Sequence, residues 1–567
     1  QNSILAQEHG YQWGKWYEGQ SIFGSNSKAD EVIDSYVDSL GNTYIFGQFG
    51  KDARMGGLDA PYICPMDTIS DYSYAVENST GIFLTKIDSA GNVLWWKWAR
   101  NGSHNSGCAP WNMVVKDNRI TIAFTNTLDN EWYDWFYLFD TMLVEPMALP
   151  IGFRNSDIAT YFVTFDFDGN IVNIHDMRLY ALRGLISPIL TSCSLIDYKN
   201  SRFVIDEDNN IHIFSCSEFA MEDSLHKAYI IVDGDTNRRY PLNVHTMNGR
   251  YFSSSVYYKM DSNWSLIGSR YLIDSIVGWN HDNLGTLSKL GFTNVVVDGD
   301  EIYVNGYFEC RDAYYIAQEL SDTESFAATI YLDSIHYLQI DNTRDFRFLP
   351  FLLKLDKNGG ILWVQQLYTV CPNDGYHNFY TLGKSGLSVD TNLVYNQYYV
   401  FFAPSTDSLT NFYLDRTHTI PLENHIESIL IVSYDKLSGT PIDYYFVDTT
   451  HVSHSESLYI QGNELILDVV FYLQKKILLC KININTKEVT KEFPITNGSV
   501  GNDAKSMSAN CNGWISRSAI GNLSFVDDSI FLGNYSESAV MTFYYDSSLD
   551  MRRRPCPQVD SLWGSIS

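Results

Sequence analysis

The stretch Ile82-Phe-Leu-Thr-Lys-Ile-Asp-Ser-Ala-Gly-Asn-Val-Leu-Trp-Trp-Lys-Trp-Ala99 reads as a strand, a tight turn and a second strand. Its first half has the period-two alternation of an extended strand. The segment Asp88–Asn92 has turn chemistry, because Gly and Asn adopt positive φ readily. The same pattern returns at Phe351–Trp363 and, in a weaker form, at Tyr161–Val172. A hairpin that recurs in this way predicts a repeat architecture.

A second kind of hairpin precedes each hairpin of the first kind. It consists of an apolar strand, a turn of Asp, Asn or Gly, and another apolar strand, as expected for strands buried on both faces. These inner hairpins lie at 37–49, 113–124, 203–214, 295–308, 393–402, 458–467 and 523–533. The outer hairpins that follow them begin near Ile82, Tyr161, Ser255, Phe351, Leu430, Ile477 and Val540.

Two hairpins make a unit of four antiparallel strands, and no long amphipathic helix interrupts the series. The pattern predicts an all-β chain, residues 1–567, folded as a single seven-bladed β-propeller of four-stranded blades. Tandem β-sandwiches and a β-helix are the alternatives, but their units have different lengths. The segment 11–17 resembles a fourth strand without an inner hairpin, so we expect it to close the ring. The predicted blades are 28–99, 107–178, 200–272, 292–367, 386–447, 456–495 and 518–555.

Long insertions separate the second strand from the third and one blade from the next. In a four-stranded blade both of these connections leave from the same face. We therefore expect the insertions to build up one face of the disc, and long loops on a rigid scaffold commonly carry function.

Composition excludes some functions. The chain has 567 residues and a formal net charge of −28, which argues against nucleic-acid binding and against docking on anionic lipid. No apolar run approaches the roughly 18–20 residues of a membrane span. Because the chain starts at Gln1, we expect a signal peptide to have been removed, with an artificial start as the alternative.

The nine cysteines form no CxxC pair and no zinc-type spacing with histidine, so disulfides in an oxidising compartment are the better interpretation. Cys64 and Cys108 occupy two same-face connections around the first predicted blade, and Cys310 and Cys371 occupy the corresponding places around the fourth. We expect these two pairs to be disulfides, and Cys480 to be a core thiol within an apolar strand. Two further pairs are predicted: Cys193–Cys216 and Cys511–Cys556.

Two segments carry a family resemblance. Leu40-Gly-Asn-Thr-Tyr44 with Gly47-Gln-Phe49, followed by Phe83–Asp88, Gly91 and Trp95, resembles the SBBP-type β-propeller repeat. Ile302–Phe308 followed by Phe351–Trp363 resembles it again. Such repeats occur in secreted and surface proteins of Bacteroidetes-type bacteria, many of them type IX secretion clients. The resemblance implies a propeller fold and a secreted or cell-surface location, and it implies no reaction.

Candidate chemistry is sparse. The turns 166–170, 206–210 and 298–300 could offer oxygen ligands to calcium, but none has the Glu that completes an EF-hand loop, and ordinary hairpin turns use the same residues. We therefore predict no metal site, no cofactor and no catalytic residue. His451 and His454 lack further ligands at defined spacing.

Aromatic residues give the best binding signal. Seven residues fall in the predicted loops of the built-up face, where exposed rings could stack on sugars or anchor a protein. The alternative is that long loops pack small cores of their own with these rings. The residues are Trp111, Trp132, Trp135, Trp279, Tyr376, His377 and Trp514.

These observations favour a secreted or surface-attached module that binds a protein or a glycan. Two alternatives stay open. One is a carbohydrate-active enzyme, a hydrolase or lyase, with carboxylates at the channel mouth. The other is a structural subunit of an outer-membrane surface or secretion assembly.

Overall fold

The computed structural model describes strands, their turns and several connections. The described residues are 11–18, 31–49, 54–55, 81–89, 92–101, 108–127, 135–139, 141–144, 158–181, 201–217, 228–233, 239–242, 254–277, 288–310, 328–340, 348–370, 386–401, 411–414, 418–421, 427–447, 458–471, 476–494, 504–509, 515–521 and 539–545. Within these ranges the elements are strands and no helix is present, which confirms the all-β prediction. Consequently, no helix in the described part is long and apolar enough to cross a membrane.

The strands are numbered β1 to β39 in chain order. The first twelve are β1 (Tyr11–Glu18), β2 (Glu31–Val37), β3 (Thr43–Phe49), β4 (Arg54–Met55), β5 (Gly81–Ile87), β6 (Val93–Asn101), β7 (Cys108–Lys116), β8 (Arg119–Thr127), β9 (Trp135–Leu138), β10 (Thr141–Val144), β11 (Ile158–Asp166) and β12 (Ile171–Ala181).

The middle of the chain follows the same scheme. Its strands are β13 (Arg202–Ile205), β14 (Ile211–Ser217), β15 (Ala228–Val232), β16 (Arg239–Leu242), β17 (Ser254–Met260), β18 (Leu266–Tyr271), β19 (Ser275–Val277), β20 (Ser288–Asp298), β21 (Glu301–Cys310), β22 (Ala328–Tyr331), β23 (Tyr337–Ile340), β24 (Phe348–Asp356), β25 (Ile361–Gln366) and β26 (Tyr368–Val370).

The last third completes the series. Its strands are β27 (Leu387–Val389), β28 (Leu393–Phe401), β29 (Asn411–Tyr413), β30 (Thr419–Pro421), β31 (Glu427–Asp435), β32 (Pro441–Val447), β33 (Leu458–Gln461), β34 (Glu464–Phe471), β35 (Lys476–Asn483), β36 (Val489–Pro494), β37 (Ala504–Ala509), β38 (Ile515–Gly521) and β39 (Ala539–Tyr545).

Consecutive strands pair into antiparallel units of four, which we number as sheets. The first sheet is β2-β3-β5-β6 and the second is β7-β8-β11-β12. The third is β13-β14-β17-β18, the fourth β20-β21-β24-β25, the fifth β27-β28-β31-β32 and the sixth β33-β34-β35-β36. The seventh takes its fourth strand from the other end of the chain, in the order β37-β38-β39-β1.

The predicted hairpins agree with this topology except at the end of the chain. The first six inner hairpins and the outer hairpins that follow them are present as paired strands. The seventh predicted inner hairpin, 523–533, lies outside the described residues. In the seventh sheet β39 pairs instead with β38, which pairs with β37. These two strands are Ser-rich, and their alternation is too weakly apolar for a pattern search.

The N-terminal strand pairs with the last strand that the structure describes. β1 runs antiparallel to β39, with the Cα of Lys15 opposite Thr542 and that of Glu18 opposite Ala539. On its other edge β1 pairs with the two-residue strand β4. Both edges of β1 are therefore hydrogen-bonded within a sheet.

Contacts divide the chain into two compact units. The first comprises 1–148, 161–174 and 459–567, and the second comprises 149–160 and 175–458. In the second unit the core is built from side chains of successive sheets. Phe214 and Tyr257 of the third sheet pack with Leu290 and Phe292 of the fourth. Burying a side chain of this size stabilises the fold by about 1.5–3 kcal/mol, so each such interface contributes substantially.

Candidate functional site

A lysine recurs two residues before the Asp that opens the outer turn, and it links one sheet to the next. The Lys86 Nζ donates a hydrogen bond to the Phe167 carbonyl at 2.9 Å, and the Lys354 Nζ donates to the Lys436 carbonyl at 2.7 Å. The Lys259 Nζ does the same to the carbonyl of Lys357. In each case the acceptor follows the turn Asp of the next sheet. We call this contact the turn clamp.

An aromatic ring completes the turn clamp by packing on a glycine of the same turn. Gly169 and Gly439 have φ of 84° and 73°, and a Cβ on either would come within 2.8 and 2.7 Å of Trp95 and Trp363, respectively. Both indoles also donate Nε1–H to the clamp carbonyl, Trp95 at 3.1 Å and Trp363 at 3.4 Å. The recurring tryptophan is therefore a packing residue, which agrees with its place in the repeated hairpin.

The third sheet departs from this rule. Its outer turn has Trp264 at φ 60°, where the neighbouring turns have glycine. The Trp264 ring stacks on His175 with the centroids 4.7 Å apart, and the His175 Nδ1 lies 3.1 Å from Asp233. In this turn, the tryptophan takes the position that glycine has in the neighbouring turns. His175 lies between Trp264 and Asp233, which is in the turn that follows β15.

The insertions between second and third strands are tied down by strand pairing. The hairpin β9–β10 pairs with β6, and the hairpin β15–β16 pairs with β12. The hairpins β22–β23 and β29–β30 pair with β19 and β26, the short strands that follow β18 and β25. We call these four insertions the edge hairpins. The hairpins β9–β10 and β15–β16 extend the first and second sheets beyond their fourth strands, which protects those edges from pairing with other chains. The other two form separate three-stranded sheets with β19 and β26.

Arg270 fixes one edge hairpin to its surroundings. Its guanidinium donates to the carbonyls of Gly359 and Leu332, at 2.9 and 3.1 Å. It also lies 3.7 Å from the carboxylate of Asp333, which in turn contacts the His336 Nδ1 at 2.9 Å. Asp333 opens the β22–β23 turn, so one side chain of the third sheet holds both the outer turn and the edge hairpin of the fourth.

The location predicted for Trp111 is wrong. Trp111 lies in β7 rather than in a loop, and only 1% of it is exposed. Its indole N–H donates to the Thr125 Oγ1 at 2.9 Å, and its ring meets Phe162 edge-on. The register shift of β7 between Pro110 and Met113 brings the ring into the sheet interior. A strand that contains Pro110 and a bulge does not show clean alternation.

Of the other aromatic candidates, Trp135 lies in an edge hairpin and the rest fall outside the described residues. Trp135 is the first residue of β9, and Trp132 precedes it outside the described residues. Along the chain, Trp279 comes shortly after β19, and Tyr376 and His377 come after β26. These three residues and Trp514 also lie outside the described residues. Trp135 is therefore the one candidate of this group whose backbone the structure describes, and its strand pairs with the first sheet.

The cysteine predictions stay predictions. Every predicted disulfide includes at least one residue outside the described part of the chain: Cys64, Cys371, Cys193, Cys511 or Cys556. Cys108 and Cys216 are buried in strands rather than placed in loops. Cys480 is buried within β35, as predicted for a thiol in an apolar strand.

The acidic turns use their carboxylates internally. The Asp166 Oδ1 accepts the backbone N–H of Asp168 and of Asn170, and its Oδ2 accepts the Asn170 side chain. These hydrogen bonds, led by that of the Asn170 side chain, lower the pKa of Asp166. Among the described residues no group of three or more His, Cys, Asp or Glu side chains could hold a metal ion. The carboxylate of Asp166 is therefore used to form its own turn.

The sequence did not predict a buried chain of hydrogen bonds in the third sheet. His212 is fully buried between Asp206 and Tyr257, with the Nε2 3.0 Å from the carboxylate and the Nδ1 2.7 Å from the phenol oxygen. Burial lowers the pKa of His212 and raises that of Tyr257. The spacing Asp-x5-His across an inner turn was the available signal, since the first sheet has Asp38 and Tyr44 at the same spacing.

No protein-family model matches the chain, and no curated protein matches it. Solved structures similar to it include the quinohemoprotein alcohol dehydrogenase from Comamonas testosteroni, with 10% identity, coverage of 100% of this chain and 80% of that chain, and a TM-score of 0.36. They also include a protein of unknown function from Dyadobacter fermentans, with 10% identity, coverage of 77% and 94% and a TM-score of 0.35. The Dos1 propeller has 8% identity, coverage of 93% and 96% and a TM-score of 0.35. At these levels the similarities assign neither a family nor a function to the chain.

Proposed function

We propose that the chain is a seven-bladed β-propeller, closed by its N-terminal strand, that serves as a binding module for a protein or a glycan. Seven antiparallel units of four strands, with β1 as the fourth strand of the seventh, support the architecture. The turn clamp supports it too, because it repeats one lateral contact between successive sheets, as a radial array requires.

One observation carries the binding function: an edge hairpin that is hydrogen-bonded to the first sheet holds the backbone of one candidate aromatic residue. Trp135 lies in β9, which pairs with β6 through Ala99, Arg100 and Asn101. Trp279 and the pair Tyr376–His377 come shortly after β19 and β26 along the chain. Aromatic rings on a held backbone lose little conformational freedom on binding, which favours recognition of sugar faces or of protein surfaces.

The location belongs to the same proposal. The resemblance of Leu40–Phe49 and Phe83–Trp95 to SBBP-type repeats supports a secreted or bacterial cell-surface protein, exported through type IX secretion. The net charge of −28 supports a partner other than nucleic acid. A partner in an outer-membrane protein complex fits the same location.

The experiment uses the purified full chain on a glycan array and on an array of surface-protein ectodomains from the source bacterium. The variant Trp132→Ala with Trp135→Ala should weaken binding at least tenfold, because aromatic anchors dominate such interfaces. Leu437→Ala is the matched control, since Leu437 is 84% exposed at an outer turn far in sequence from the edge hairpins. Unchanged affinity in the tryptophan variant would overturn the aromatic site, and release of sugar from an array ligand would favour the enzyme alternative.

A further inference from the structure

In the first, fourth and fifth sheets, a tyrosine on the second strand donates a hydrogen bond to a carboxylate beside the inner turn. Tyr44 donates its hydroxyl to Asp38 at 3.2 Å, Tyr303 donates to Glu301, and Tyr395 donates to Asp390. In the third sheet this position is His212. The register confirms the equivalence, because Tyr44 pairs with Lys86 and His212 pairs with Lys259. The third sheet therefore places a titratable imidazole where the first, fourth and fifth sheets have a phenol.

The geometry defines the protonation state of His212. Asp206 also accepts hydrogen bonds from the backbone N–H and the side chain of Asn210, which is the pattern of an ionised carboxylate. An ionised carboxylate only accepts, so the His212 Nε2 carries the proton and donates to it. The Nδ1 is then an acceptor, and the Tyr257 hydroxyl donates to it. All hydrogen-bonding atoms of the buried ring are satisfied by the neutral form.

Tyr257 connects this chain of hydrogen bonds to the fourth sheet. A Cβ built on Gly359, which has φ 83°, would overlap the ring of Tyr257. Two residues further along β17, the Lys259 Nζ donates to the Lys357 carbonyl in the same turn. His212 therefore orients the ring that packs on the outer turn of the fourth sheet.

Protonation of His212 would turn both ring nitrogens into donors. The Tyr257 O–H would lose its acceptor and would have to turn away, because its oxygen could then only accept from the Nδ1–H. Asp206 favours the imidazolium, while burial and the ammonium of Lys259 oppose it, and burial is the largest of these effects on the pKa of His212. Asp356, Lys357 and Asp208 are the charged groups of the adjoining turns.

We propose that Asp206, His212 and Tyr257 form a pH-responsive latch at the junction of the third and fourth sheets, which loosens when His212 is protonated. The open junction exposes the imidazole to water, where it binds a proton with its ordinary affinity, whereas the closed junction resists protonation. Acidification therefore favours the open form. The proposal does not depend on ring closure or on the binding function.

The test is hydrogen–deuterium exchange of the full chain at pH 7.5 and pH 5.5, after correction for the intrinsic exchange rate. The expected result is a rise of up to about tenfold in the opening of β14, β17 and the turn 356–360. This value follows because an exposed histidine titrates near pH 6.5, one unit above the lower pH.

His212→Gln is the decisive variant. The Gln amide can donate to Asp206 and accept from Tyr257, but it cannot be protonated in this range. Its exchange at these segments should be equal at the two pH values. A second variant, His212→Tyr with Tyr257→Leu, copies Tyr44 and Leu84 of the first sheet and should also abolish the response. Wild-type protection that does not change between the two pH values, or a variant that keeps the full response, would overturn the latch.

Discussion

The backbone of Gly169 lies against the indole of Trp95, at a separation that leaves no room for a methyl group. A Cβ there would come within 2.8 Å of the ring, and the φ of 84° is one that residues with a side chain rarely adopt. The same relationship joins Gly439 to Trp363. Two independent constraints therefore act on one glycine, and they can be separated by mutation.

Gly169→Ala should lower the free energy of unfolding by about 2–4 kcal/mol, because backbone strain adds to overpacking against Trp95. Gly299→Ala is the matched control, since Gly299 has φ 59° and no atom within 4 Å of the added Cβ. The free energy of unfolding of this variant should fall by only about 1–2 kcal/mol, from backbone strain alone. Urea unfolding of the two variants measures the difference. Equal losses would mean that the ring contact contributes nothing.

Lys354→Met should lower the free energy of unfolding by about 1–3 kcal/mol. The lysine is 2% exposed, and its Nζ contacts the Glu301 carboxylate at 2.6 Å and the Lys436 carbonyl at 2.7 Å. Methionine fills the same space but removes the ammonium donor. This leaves the Lys436 carbonyl with the longer bond from Trp363. It leaves Glu301 with the bond from Tyr303. Urea unfolding measures the loss.

Lys357→Met is the control for this change. Lys357 is 44% exposed in its ion pair with Asp300, and solvent screens such a pair, so no measurable loss is expected. If both variants lost the same stability, the buried lysine would have no special role in the turn clamp.

Arg270→Ala should free the edge hairpin β22–β23 without unfolding the protein. The change removes donors to Gly359 and Leu332 and the ion pair with Asp333. Limited proteolysis should cut residues 311–347 several-fold faster in the variant than in the wild type, while the thermal transition changes little. Ser334→Ala, at the exposed tip of the same turn, is the control and should leave the cutting rate unchanged. Equal cutting of Arg270→Ala and wild type would show that Arg270 does not anchor the hairpin.

Asp166→Asn should destabilise the protein at neutral pH, and its effect should shrink as acid protonates Asp166 in the folded protein. The turn hydrogen bonds hold the pKa of Asp166 below its ordinary value of 3.8. The stability that the ionised group contributes is therefore present above pH 3.8 and is lost as the pH falls through the folded pKa. Thermal unfolding of both proteins between pH 7 and pH 2.5 measures the gap, which should close with acid. A gap that stays constant would exclude an ionic contribution.

The repeated hairpins were predictable because local chemistry specifies them. Asp at the start of an outer turn and Gly near its end mark positions where the backbone needs a carboxylate acceptor and a positive φ, as Asp356 and Gly359 show. Alternation along the flanking strands then predicts the pairing. The register in which Lys354 lies opposite Trp363 follows from the length of the turn.

The edge hairpins were not predictable in the same way. Phe139 takes φ 44° in the turn between β9 and β10, where no glycine signals a turn. The strands on either side have four residues each, too few for a clear period. Their partner β6 is distant in sequence, so pairing depends on tertiary structure. The same reason explains the wrong location of Trp111, whose burial depends on Thr125 and on a bulge.

Cross-linking of β1 to β39 tests the proposed closed seven-bladed ring most directly. Lys15 and Thr542 are opposite each other in the antiparallel pair, so Lys15→Cys with Thr542→Cys should form a disulfide between the two ends of the chain under mild oxidation. Mass spectrometry of the digested protein would identify the linked peptides. A closed ring predicts a high yield of this disulfide. The control pair, Lys15→Cys with Ala539→Cys, should form little disulfide, because Ala539 lies opposite Glu18. Absence of the first link, or equal yields from both pairs, would contradict closure by the N-terminal strand.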